Sequence, residues 1–183
     1  MSETATTTRF TADAMQELAR RDGDTFSARD RRLAFQQFDL MDMPSPDTEE
    51  WRYTDLTDFD LGAFEPLAEE PKVESLDDVA PHILEAAGDV GERDGLAVQH
   101  NSTMVVCHLG RDAYDLGVHF ESIDAAIEAH PELVEGKLHE AVTPGRTKFS
   151  AMHAAYRTAG SFILVPKNAK VERPMQTLTY VDR

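Results

Sequence analysis

The sequence predicts an α+β fold, a mixed helical and strand N-terminal domain that leads at its end into the first strands of a larger β structure. Three observations predict it. Apolar residues recur at helical spacing behind capping residues in the first forty positions and again after Pro81, Ser122 and Pro131. Leu96-Ala97-Val98 and Met104-Val105-Val106-Cys107 flank His100-Asn101-Ser102 in the manner of a hairpin. The last quarter, from Lys148 to Arg183, reads as a helix feeding two extended segments with nothing nearby to pair with.

Residues 1–10 are small and polar for most of their length and read as a disordered tail. The N-terminal domain then runs over 11–146, and 147–183 forms a connecting helix and the opening of the β structure. Thr11 can cap a first helix carrying Phe10, Ala14 and Leu18 on one face, with Gly23 ending it. Ser27 is expected to cap a second helix, in which Leu33 and Leu40 lie seven apart and Ala34, Phe38 and Met41 make an adjoining stripe. Arg29, Arg31 and Arg32 sit in its first half. They read either as a solvated face or as a docking patch on an acidic surface.

Pro44-Ser45-Pro46 stops this helix, and Asp47 or Thr48 can start a further turn through Trp51, the only tryptophan, which reads as a partly buried anchor. Leu61 to Glu74 is an irregular surface connector. Leu76, Val79, Ile83 and Ala87 keep helical spacing, but a proline inside a helix costs about 3 kcal/mol, so the regular part should begin at Pro81. After the hairpin, Gly110 to Gly117 reads as a turn-rich connection. Ser122 caps a short helix with Ile123, Ala126 and Ile127, and Pro131 opens another carrying Val134, Leu138 and Val142. In the closing segment Phe149, Met152, Tyr156 and Ala159 share a helical face that ends at Gly160. Ser161 to Val165 and Met175 to Val181 are strand-like around the turn Lys167-Asn168-Ala169, with Pro174 confining the second to an edge or a strand start.

In the 183 residues, Lys and Arg number 18 against 34 Asp and Glu, a net charge of -16 that repels phosphate backbones and argues against nucleic acid or an anionic membrane as partner. Scarce lysine and excess aspartate fit a salt-rich, halophilic setting, where a Debye length of about 3 Å at 1 M relieves the self-repulsion. One cysteine, Cys107, excludes an internal disulfide and a CxxC site. With no apolar signal core at the start and no run of ~20 apolar residues, a cytoplasmic protein is expected.

No phosphate loop, nucleophile elbow, dinucleotide fingerprint or HExxH occurs. The seven histidines, at 82, 100, 108, 119, 130, 139 and 153, form no HxH or HxxxH pair, so none is expected to share a local metal site. Cys107 and His108 are adjacent, which on a strand points them to opposite faces.

Three stretches carry a resemblance. The order KFSAMHAAY then GSFILVPKNAKVERPMQ (from Lys148) resembles the entry to the β-helix of the SufB/SufD scaffold subunits of the SUF iron-sulfur assembly system. PSPDTEEWRYTDL (44–56) resembles the N-terminal motif of the SufD side of that family, and GVHFESIDAAIEAHPELVEGKL (117–138) the segment between. The resemblance implies that 161 onward opens a right-handed parallel β-helix, truncated here, in a non-enzymatic scaffold of iron-sulfur cluster assembly with SufB-like and SufC-like partners. It implies no catalytic, cofactor-binding or metal residue in this chain. The cluster residues of the family lie in later rungs, so an iron-sulfur cluster is implied only for the full complex, and the contact to the ATPase lies in a C-terminal helical segment. Two other classes remain alongside it: a stand-alone acidic interaction domain without cluster function, and a metal-dependent enzyme using the scattered histidines.

Overall fold

The computed structural model describes residues 9–67 and 69–182. They belong to two units, each discontinuous in sequence: one within Met1–Pro66 and Glu132–Arg157, the other within Leu67–Pro131 and Thr158–Arg183. The segment 147–183 is therefore not one piece, since its helix belongs to the first unit and its strands to the second. Among the described residues no helix is long and apolar enough to cross a membrane.

In the first unit, α1 (Ala12–Arg21) starts as expected at Thr11, whose side chain accepts from the Ala14 N–H, and it buries Met15, Leu18 and Ala19. Most of the expected tail lies outside the described residues, but Phe10 does not fit that reading: its ring meets Tyr156 edge-on at 5.0 Å. The second helix, α2 (Phe26–Leu40), is capped by Thr25 instead of Ser27. Thr25 has the extended backbone a cap requires, whereas Ser27 is already helical and buried, its hydroxyl donating to Asp22 at 2.7 Å. Ala34 and Phe38 are buried as their stripe predicts, while Leu33 and Leu40 are 51% and 85% exposed.

A short 3-10 turn, Glu49–Trp51, places Trp51 against Phe149 at 5.5 Å between ring centroids. Phe59 meets the same phenylalanine at 5.5 Å and stacks on Phe64. The tryptophan is thus a half-buried member of an aromatic cluster, as an anchor should be.

The last helix of this unit, α7 (Lys148–Tyr156), ends early. Thr147 and Ser150 form a reciprocal capping box at its start, but the helix stops at Tyr156, where Arg157 turns extended at φ -52 and ψ 127. The Arg31 guanidinium accounts for this, because it donates to the carbonyls of Ala155 and Arg157 at 2.9 and 2.8 Å and so satisfies acceptors at the helix end. The buried face is Ala151, Ala154, Ala155 and Tyr156, not the expected Phe149-Met152-Tyr156-Ala159 row. The helix opening at Pro131, α6, is also shorter than expected: it covers Pro131–Val134 only, with Gly136 at φ 80 and His139 at φ 65 turning the chain, and it leaves Val142 half exposed.

In the second unit, α3 (Pro81–Ala87) begins at Pro81. The hairpin forms as expected: β1 (Gly95–His100) pairs antiparallel with β2 (Thr103–Leu109), and Asn101 takes the positive φ of 47 that its tight turn needs. The connection read as turn-rich holds a short helix, α4 (Arg111–Asp115), followed by β3 (His119–Ser122), which the sequence did not announce. Helix α5 (Ile123–Ala129) follows directly, capped by Ser122. β4 (Ser161–Leu164) pairs antiparallel with β3.

The largest departure is β5 (Met175–Tyr180). The sequence offers this segment nothing nearby to pair with, yet β5 pairs in parallel with β1 from Gly95↔Met175 to His100↔Tyr180, giving a sheet of order β2-β1-β5. Two features hold it. Leu178 and Tyr180 pack on a core of Val79, Ile83, Ala87, Leu96, Val98, Val105 and Val106, and Arg173 pairs with the buried Asp94 at 2.8 Å just before the strand. β4 and β5 belong to different sheets and do not pair with each other. On the other side of the hairpin, Phe120 packs with Ala97 and Met104. Only glycine fits at 95, where an added Cβ would lie 2.6 Å from the Phe120 ring.

Candidate functional site

In the first unit the most buried polar group is the Arg31 guanidinium, 3% exposed. Both Asp22 oxygens accept from it, at 3.0 to 3.2 Å, alongside the two carbonyls of the α7 terminus. Arg157 lies beside it and donates to the Ser27 hydroxyl at 3.0 Å. These bonds all go to this chain's own backbone and side chains, so Arg31 is neither a solvated nor a docking residue. Arg29, by contrast, is exposed beside Asp30 and Glu135, and Arg32 is exposed. His139 and His153 stand 5.8 Å apart, ring to ring, and burial holds both below the ordinary imidazole value, with Arg157 adding to the effect.

The second unit brings together side chains that are far apart in sequence. In one group, His100 lies between Glu70 and Asp182, its Nε2 3.1 Å from Asp182 Oδ1 without the alignment of a hydrogen bond. Asn101 Nδ2 donates to both carboxylates, at 2.9 and 2.8 Å, and the Asp182 N–H donates back to Asn101 Oδ1 at 3.1 Å. This group fastens the hairpin turn to the connector and to the end of β5.

In the other group, His119 and Glu121 alternate with Phe120 along β3, so both point away from the core that takes the phenylalanine ring. His130 caps the C-terminus of α5 and returns to them, its ring 4.9 Å from that of His119. One ligand atom from each of His119, Glu121 and His130 lies within 4.8 Å of the others, and all three residues are half-buried. Sequence spacing hid this pair of histidines, because β3 and the helix after it close a gap that no HxH or HxxxH pattern spans. The alternation His119-x-Glu121 before a capped helix was the available signal.

Cys107 lies on β2 with its thiol donating to the Phe120 carbonyl at 3.3 Å, while His108 is exposed on the opposite face. Burial, and then the Glu121 carboxylate, push the thiol up to about 11, which disfavours the thiolate needed to hold iron.

The polar groups of each unit thus fasten segments of this chain that are distant in sequence to one another. Residues 95–177, from the first residue of β1 into β5, match the model of the SufBD protein N-terminal region. The chain belongs to the SufB/SufD family and carries an N-terminal portion of it. It is 32% identical over 152 residues, 81% of its length, to the iron-sulfur cluster assembly protein SufD of Bacillus subtilis. It is 34% identical over 82 residues, 45% of its length, to an iron-sulfur cluster assembly SufBD family protein of Staphylococcus saprophyticus, and 32% identical over the same length to one from Staphylococcus aureus. The chain spans 33% of the Bacillus protein and 18% of each Staphylococcus protein.

Proposed function

We propose that this chain serves iron-sulfur cluster biogenesis as a non-catalytic scaffold component in the cytoplasm, acting with SufB-like and SufC-like subunits, with the cluster as cargo of the whole complex. The observation that carries the reading is the similarity to a SufD protein over 81% of the chain, which extends well beyond the matched strands into the first unit. The chemistry agrees: the one cysteine is held as a thiol, and the most buried cation, Arg31, is spent on the chain's own carbonyls. A parallel β-helix remains part of the proposal, with β5, the last strand of its sheet, as the place where a further parallel strand would add.

Deleting the coding sequence tests the role. Iron-sulfur enzyme activities in the deletion strain should fall while an iron-free dehydrogenase is unchanged, and equal activities in both strains would refute it. Co-purification of the tagged chain with SufB-like and SufC-like proteins tests the partners separately.

A further inference from the structure

We propose that His119, Glu121 and His130 form a binding site for one divalent transition-metal ion such as zinc, with three protein ligands and an open position. The donor set is two imidazole nitrogens and a carboxylate, which suits first-row metals from iron to zinc and not magnesium or calcium. The sequence builds it by simple means. Residues 119 and 121 of a strand face the same way, and the helix capped at Ser122 returns His130 to that face.

Three observations favour a ligand over an ordinary surface pair. The ligand atoms already lie within 4.8 Å of one another, whereas donors across an assembled tetrahedral site with bonds of about 2.1 Å stand about 3.4 Å apart, a gap that side-chain rotation closes. His119 Nδ1 is 3.7 Å from Glu121 Oε1, too long for a hydrogen bond, and among the described residues none of the three side chains is engaged in one. No lysine or arginine among the described residues pairs with Glu121, so nothing cationic competes for it, and the charge of -16 draws cations toward the surface. The Glu70-His100-Asp182 group differs here, because Asn101 already occupies both of its carboxylates.

The test uses the full chain stripped with a chelator. Zinc titrated by calorimetry should bind at one ion per chain and raise the melting temperature, and cobalt(II) should give visible ligand-field bands. His119→Ala and His130→Ala should each weaken binding by at least about 10-fold, as should Glu121→Gln, while His100→Ala and Cys107→Ser bind as the parent does. NMR of the parent chain guards against variants that fail to fold: zinc should shift the ring signals of His119 and His130 before those of the other five histidines. No zinc binding by the parent, equal loss in His100→Ala, or ring shifts spread evenly over the histidines would each overturn the assignment.

Discussion

Replacing Arg31 with methionine keeps most of its volume and removes only its polar contacts. The Asp22 carboxylate loses its three guanidinium bonds, and the carbonyls of Ala155 and Arg157 lose their donor at the end of α7. Removing one member of a buried ion pair costs about 3 to 5 kcal/mol, chiefly because the other charge is left unpaired. For a chain of 183 residues each kcal/mol moves the melting temperature by about 2 to 4 °C, so Arg31→Met should melt about 6 to 20 °C lower. Calorimetry on both proteins in one buffer measures this. Arg29→Met is the comparison, because its pairs with Asp30 and Glu135 are exposed and screened by solvent, so its melting temperature should stay close to the parent's. If Arg31→Met melts within about 1 °C of the parent, or if the two variants shift equally, the guanidinium does not hold the helix end and the reasoning fails.

Trp51→Ala should destabilise the chain by about 2 kcal/mol, below the 3 to 5 of a fully buried aromatic because the ring is half-exposed on Phe149; an unchanged denaturation midpoint would remove its anchoring role. His139 and His153 are held below 6.5 in the folded chain, so just under that value the unfolded chain binds more protons and stability falls as pH falls, until the folded values are passed. The melting temperature should therefore drop between about pH 7 and 5, and a His139→Asn/His153→Asn variant with the parent's slope would contradict the cause given. With its thiol at about 11, Cys107 should be roughly 0.1% thiolate at about pH 8 and react slowly with a disulfide reagent until the chain is denatured; equally fast reaction in folded and denatured protein would sink that account.

Elements fixed by local chemistry were legible in the sequence. Thr11, Pro81 and Ser122 start helices because capping and the proline ring act within one turn, and the hairpin around Asn101 follows from alternation and a short turn. What depends on distant partners was not. The end of α7 is set by Arg31 from another helix, and β5 finds its partner in β1, an edge invisible from the sequence around Met175. The candidate metal site was missed for the same kind of reason: β3 is only four residues long, and without it His119 and His130 have no cause to meet.

The two units are interleaved along the chain, which passes from the first to the second, back to the first and again to the second. On the ribosome, where chains emerge at about 5 to 20 residues per second, neither unit can be completed from the residues that appear first. Helices α1 and α2 must wait for α7, and the hairpin must wait for β5, the later of the two. Assembly should therefore wait on late elements instead of proceeding one unit at a time, with pairing of β1 and β5 as the closing step because β5 lies further along the chain than α7. The same arrangement means that a single protease cut in the 61–74 connector would not release α1 and α2, which stay packed against α7 on the far side of the nick.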